Sequence, residues 1–201
     1  MTRLTEAAVM SFWRWFSSIA QKFSSNLEDE GILRELDDRI RSFGDLAWEV
    51  GPGLGKSNAL VISPAGAPEL LHLTEEVVKY APALPEWEFH SAKPPKAWSL
   101  RFTLEGVDGA SIDIDARSWE YVLFRDPDGK LDVLVHAPDL ETVAEDLRLT
   151  AAEIAVEGVV GERVRLGRVG EIEVATHLDE ELRDRATSLE ELAAHVRSLS
   201  P

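Results

Sequence analysis

The chain has no cysteine, and this absence excludes several kinds of chemistry. Without cysteine among its 201 residues, the protein forms no disulfide and has no thiolate nucleophile or cysteine zinc ligand. Its apolar runs are also shorter than the roughly 18 to 20 residues that a membrane helix needs. Glu6 lies where the apolar stretch of a signal peptide would begin, so no signal peptide is expected. These absences predict a cytoplasmic protein.

Catalytic and metal-binding signatures are missing as well. The five histidines never stand three or four residues apart, so no two of them share a helix face as paired metal ligands. No H-E-x-x-H or G-x-S-x-G motif occurs. The 126–129 segment lacks the later ligands of a calcium loop. We therefore predict no metal and no cofactor, while the catalytic residues stay unknown and enzymatic activity stays open.

Basic residues are scarce relative to acidic ones. The sequence has 21 lysines and arginines against 37 aspartates and glutamates, which gives a net charge of −16. A negative field of this size repels phosphate backbones and anionic lipids, so neither a nucleic acid nor a membrane is expected as a partner. Two interpretations remain open: the charge keeps the protein in solution, or it attracts a cationic protein partner.

Apolar periodicity predicts an α+β fold with a mostly antiparallel sheet, an N-terminal helical hairpin and further packing helices. We expect a single domain over 1–201, with the hairpin at 1–44 packed on it. Predicted helices lie at 5–24, from a capping box at 25–28 to about 43, at 68–80, at 138–156 and from 187 onward. Predicted strands lie at 46–50, 58–63, 87–90, 99–105, 111–115, 119–125 and 131–136, with a terminal hairpin of 164–166 and 171–175.

Two short motifs resemble functional sites, one a phosphate-binding loop and the other a carboxylate pair. The 51–57 segment, GPGLGKS, ends like a phosphate-binding loop, but Val50 stands where the first glycine is required and a strand follows instead of a helix. We predict a turn between two strands. Asp113 and Asp115 lie on one face of a predicted strand. That pair is typical of a solvated strand face, and a metal or acid–base role is the alternative.

Aromatic and basic residues are concentrated between residues 87 and 101 of this otherwise acidic chain. Such a mixture can form a pocket for an anionic or planar ligand. The candidate ligand-binding residues are Trp87, His90, Lys93, Lys96, Trp98 and Arg101. The alternative is that the tryptophans fill the core while the lysines extend into water.

Trp15 is the second candidate, as an interface residue. It lies off the apolar stripe of the first predicted helix, while its neighbour Trp13 lies on it. An exposed tryptophan is a typical anchor at a protein interface. The alternative is burial under the second helix, which would gain a large aromatic contact area.

Three segments resemble a family of uncharacterised bacterial proteins: WEVGPG at 48–53, NALVISP at 58–64 and WEFHSAKPPK at 87–96. The resemblance extends over about 16–194. It implies a bacterial, cytoplasmic protein, and it implies no activity, cofactor or catalytic residue.

Two functions follow as hypotheses. The first is a non-enzymatic protein-interaction module, immunity-like or regulatory, whose acidic surface binds a cationic partner. The second is an enzyme or small-ligand-binding protein with its pocket around 87–101.

Overall fold

A computed structural model describes residues 4–106, 109 and 111–199 of the chain. Contacts divide the chain into two compact units, Met1–Lys93 and Pro94–Pro201, which we call unit 1 and unit 2. The fold combines helices with sheets that are mostly antiparallel, so the predicted α+β class is confirmed. The single domain over 1–201 stays a prediction. None of the helices in the described part of the chain is long and apolar enough to cross a membrane.

Unit 1 begins with the predicted helical hairpin, formed by α1 (Glu6–Ser25) and α2 (Glu30–Arg41). The predicted capping box at 25–28 is wrong. Ser25 is the last residue of α1 and donates back to Gln21 O at 3.2 Å. Asp29 caps α2 instead, because its carboxylate accepts from the N–H groups of Gly31 and Ile32, both at 3.1 Å.

The sheet of unit 1 has three strands in the order β1-β2-β3. They are β1 (Ala47–Gly51), β2 (Asn58–Ser63) and β3 (Trp87–His90). The antiparallel pairing of β1 with β2 confirms that 51–57 is a turn between strands. The chain reaches β3, which runs parallel to β2, through α3 (Leu71–Val78). Every residue of β2 is buried, as expected for a central strand.

The described part of unit 2 contains two sheets and four α-helices. Its strands are β4 (Arg101–Glu105), β5 (Ser111–Asp115), β6 (Glu120–Arg125), β7 (Leu131–His136), β8 (Val169–Ala175) and β9 (Thr187–Ser188). Its helices are α4 (Glu145–Val160), α5 (Glu162–Arg168), α6 (Glu180–Arg185) and α7 (Leu192–Ser198). β4 and β5 form an antiparallel pair, and the larger sheet has the order β8-β7-β6-β9.

The hairpin of β6 and β7 was predicted correctly. Gly129 has φ +90°, and its N–H donates to Asp126 O at 2.9 Å. Glycine adopts this left-handed conformation without steric cost, so the turn chemistry fixes the strand pairing locally.

The predicted terminal hairpin of 164–166 with 171–175 is wrong. Residues 164–166 belong to α5, and β8 pairs in parallel with β7. The predicted helix at 138–156 also has different limits, since only a short turn occupies Pro138–Leu140 and α4 runs from Glu145 to Val160. Gly158 does not end this helix but lies inside it, with the Trp98 ring of the same unit packed beside it. The helix α6 had not been predicted.

Candidate functional site

The six candidate residues between 87 and 101 are divided between the two units. Unit 1 contains Trp87, His90 and Lys93, and unit 2 contains Lys96, Trp98 and Arg101.

Trp87 is a core residue of unit 1. It is 1% exposed, and its indole N–H donates to Ser24 Oγ at 2.8 Å and to Ala20 O at 3.2 Å. Its ring stacks on Phe23 with 5.5 Å between centroids. A depression of about 370 Å³ beside α1 includes Trp87 in its lining, together with Ser17, Ala20, Gln21, Leu84, Pro85 and Glu86. Because this lining contains no lysine or arginine, it offers an anion no cationic partner.

His90 and Lys93 each lie close to an acidic side chain of unit 1. His90 Nε2 is 3.0 Å from Glu88 Oε1, and Lys93 Nζ is 3.7 Å from Glu49 Oε1. Neighbouring carboxylates lower the attraction that these groups exert on an external anion.

The glycine turn at 51–57 does bind an anion, but the anion is a side chain of the same unit. The Glu88 carboxylate accepts from Leu54 N at 2.6 Å and from Gly55 N at 2.9 Å. The hydrogen bond from His90, followed by those from the turn, lowers the pKa of Glu88 to about 2. Gly53 has no room for a side chain, because an added Cβ would lie 2.7 Å from Lys56 O. The turn is therefore held by Glu88 rather than open to a phosphate.

Lys96 and Trp98 contact each other in unit 2. Lys96 Nζ lies 5.2 Å from the ring centroid of Trp98, and Trp98 stacks on Phe102 with centroids 5.5 Å apart. The Trp98 indole N–H is buried and has no hydrogen-bond partner in the described part of the chain. The ring packs against α4 at Gly158, and a ligand-binding role of Trp98 stays a prediction.

Arg101 is paired across the β4–β5 ladder. Its Nη2 lies 3.0 Å from Asp115 Oδ2, and Arg117 Nη2 lies 2.6 Å from the same oxygen. Hydrogen bonds from Arg117, and then from Arg101, hold the pKa of Asp115 well below its usual range. Asp113 accepts from Thr103 Oγ1 at 2.9 Å. The two aspartates thus bind side chains of β4 across this exposed strand face. They also line the depression of about 440 Å³ there, so Arg101 has carboxylates next to it.

Trp15 is half-buried within the helical hairpin. Its ring lies 5.9 Å from that of Phe12, and the Arg39 guanidinium of α2 lies 4.5 Å from its centroid. This cation–π contact covers part of the indole from the second helix, in line with the alternative of burial within the chain. The interface role of Trp15 stays a prediction.

Unit 2 carries a different feature, a groove of about 790 Å³ along β8 at the beginning of α4. We call it the acidic groove. One side is formed by Glu171, Ile172, Glu173 and Val174 of β8, and the other by Glu145, Asp146, Arg148 and Leu149 of α4. Four carboxylates thus line it together with one arginine and three apolar side chains.

The β8 side of the groove is fixed by a bulge. The register of β8 on β7 shifts between the pairs Leu131–Val169 and Val133–Ile172. At this point Asp132 Oδ1 accepts from Glu171 N at 2.8 Å, and a side chain on Gly170 would overlap that carboxylate. Gly170 therefore permits the bulge that places Glu171 and Glu173. Both side chains are exposed, whereas Ile172 is buried.

The α4 side of the groove is formed by the first turns of that helix. Glu145 and Asp146 lie in its first turn, where carboxylates interact favourably with the helix dipole. Arg148 Nε donates to Val143 O at 2.6 Å, which turns this guanidinium toward the preceding loop. Leu149 is 38% exposed. The helix therefore presents two acids and one apolar side chain.

The carboxylates of the acidic groove have no ion-pair partner in the described part of the chain. By contrast, three acids of α2 each pair with an arginine four residues later. Among the described residues, no three histidine or acidic side chains converge closely enough to hold one metal ion. The groove charges are therefore spread along its length rather than gathered at a point.

The sequence contains a signal for one side of this groove. The alternation of Glu171, Ile172, Glu173 and Val174 indicates a strand with one acidic face, but local spacing predicts that this strand pairs in a terminal hairpin. The family resemblance stays a prediction. No family model, curated protein or solved structure matches the chain, so its function has to be inferred from these residues.

Proposed function

We propose that this protein is a non-enzymatic interaction module that binds a cationic protein partner through the acidic groove. The observation that carries the proposal is the set of four carboxylates that have no ion-pair partner among the described residues and lie beside the exposed Leu149. We further propose that the protein acts in the cytoplasm as an immunity-like or regulatory module.

In this proposal, charge selects cationic partners and raises the association rate, while apolar contact supplies much of the affinity. An exposed ion pair contributes only about 0.2 to 1 kcal/mol, so four such pairs give a few kcal/mol at most. Interfaces gain more from central apolar side chains that exclude water. Leu149 and the partly exposed Val174 are available for this in the groove.

The net charge of −16 assists the approach of a cationic partner. At physiological ionic strength, exposed charges act over roughly 8 to 10 Å, so acids around the groove steer a partner that comes close, and the groove selects the final position. Binding should therefore weaken as salt rises.

A chain this acidic also attracts any basic peptide without specificity, and a matched variant separates the two effects. The probe is a fluorescein-labelled peptide of seven residues in which lysine and valine alternate. Its affinity is measured by fluorescence anisotropy for the wild type, for Glu171→Gln/Glu173→Gln, and for the control Glu105→Gln/Asp184→Asn. Glu105 on β4 and Asp184 on α6 are exposed acids outside the groove, and the control removes the same number of charges.

We expect the groove variant to bind about two- to thirtyfold more weakly, the effect of losing two exposed ion pairs. The control should lose less than twofold. Equal losses in both variants, or no binding to the wild type, would reject the acidic groove as the site.

A further inference from the structure

We propose that the partner enters the acidic groove as an extended segment that adds a strand to β8. This inference rests on the proposed function and specifies the form that the partner takes. It follows from the position of β8 in its sheet and from the order of its side chains.

β8 is an edge strand. In the described part of the chain it pairs with β7 and with no other strand. Successive residues of a strand direct their N–H and C=O groups to opposite edges, so alternate residues between 172 and 175 direct theirs away from β7. An extended segment can satisfy such groups, whereas a helix has already used its own backbone groups.

Part of this edge is already occupied, which limits where the added strand can lie. Arg165 Nη1 donates to Val169 O at 3.3 Å and to Gly170 O at 3.2 Å. Beyond the bulge, residues 172–175 continue in regular register with β7. The added strand is therefore placed along 171–175, of which residues 171–174 line the groove.

The side chains of the groove define the partner's sequence pattern. Glu171 and Glu173 lie on one face of β8, about 7 Å apart, while Ile172 and Val174 lie on the other. A strand paired with β8 directs every second side chain to each of these faces. Lysine or arginine at alternate positions would meet the glutamates, and apolar residues between them would meet Leu149 of α4.

The test uses the lysine–valine peptide with the wild-type full chain, so no variant has to fold. Two N-methylated versions are compared with the unmodified peptide: one carries N-methyl groups on the lysines, the other on the valines. N-methylation removes the backbone donor and keeps the side-chain charge. A third peptide has the same composition, with the lysines and valines in two separate blocks.

Strand addition predicts that one methylated version binds at least about tenfold more weakly and the other within about threefold, because only alternate residues direct their N–H groups to β8. The block peptide should also bind more weakly. If both methylated versions bind as well as the parent, the peptide is bound by charge alone: strand addition is then wrong while the acidic groove stands. If the parent peptide does not bind, the proposed function and this inference are both rejected.

Discussion

The indole of Trp98 occupies the space that any side chain at position 158 would need. A Cβ built on Gly158 would overlap three atoms of this ring. Gly158 lies inside α4 and is buried, although glycine is unfavourable in a helix interior. The close approach of the ring explains why glycine is present there.

Gly158→Ala should therefore destabilise the protein. The added methyl group forces the Trp98 ring to move, and overpacking of this kind costs about 1 to 3 kcal/mol of unfolding free energy. The matched control is Gly167→Ala in α5, where an added Cβ has no atom within 4 Å. That change should raise the unfolding free energy by up to about 1 kcal/mol through helix propensity. Urea unfolding of both variants checks the opposite signs. A Gly158→Ala protein as stable as the wild type would contradict the packing of Trp98 on α4.

The hydrogen bonds of Glu88 predict an acid-sensitive part of the stability. Because its folded pKa is lowered to about 2, this carboxylate contributes stability that is complete above its ordinary pKa of 4.5 and is lost as the pH falls toward 2. Glu88→Gln should cost about 1 to 2 kcal/mol of unfolding free energy near neutral pH, as expected for lost hydrogen bonds to a charged group.

This cost should shrink as the pH falls from about 4.5 toward 2, because the wild type loses the same contribution. The control is Glu86→Gln, an exposed glutamate two residues away. Urea unfolding at several pH values provides the measurement. A cost for Glu88→Gln that does not depend on pH would contradict the role of the charged carboxylate.

The raised pKa of Tyr121 predicts that part of the stability is lost at alkaline pH. The Tyr121 hydroxyl lies 2.8 Å from His195 Nδ1, and burial, followed by the charge of Glu191, raises its pKa to about 12. Because the pKa of Tyr121 is raised in the folded state, the stability that its neutral hydroxyl contributes is complete below about pH 10. This contribution is lost as the pH rises toward 12.

Tyr121→Phe should lower the unfolding free energy by about 1 to 2 kcal/mol near pH 8, since a partner of His195 is removed. The difference from the wild type should decrease between about pH 10 and 12. The other tyrosine of the chain, Tyr80, gives the control variant Tyr80→Phe. If Tyr121→Phe lowers the unfolding free energy by the same amount near pH 8 and near pH 12, the substitution has changed only packing and the raised pKa of Tyr121 is contradicted.

Local chemistry explains which parts of the fold could be predicted from sequence. The β6–β7 hairpin depends on Asp126 and Gly129, which are only three residues apart in sequence and determine the turn locally. The stripe of α1 likewise repeats every three to four residues. The parallel pairing of β8 with β7 could not be predicted in this way, because it depends on contacts between segments separated by α4 and α5.

The candidate pocket illustrates the same limit. Composition shows that aromatic and basic residues are concentrated in 87–101, but it does not reveal whether Trp87 faces a core or an opening. That is decided by Phe23 and Ser24 of α1, which are distant in sequence. The acidic groove was missed because its two sides, the first turn of α4 and strand β8, become neighbours only in the fold.

The most direct test of the acidic groove is hydrogen exchange of the full chain with and without a saturating amount of the lysine–valine peptide. We predict slower exchange at backbone amides of 171–175 and at the first turn of α4, and no change in α6, which is also rich in exposed acids. Unchanged exchange at β8, or equal slowing in α6 and β8, would contradict the groove as the binding site for a cationic partner.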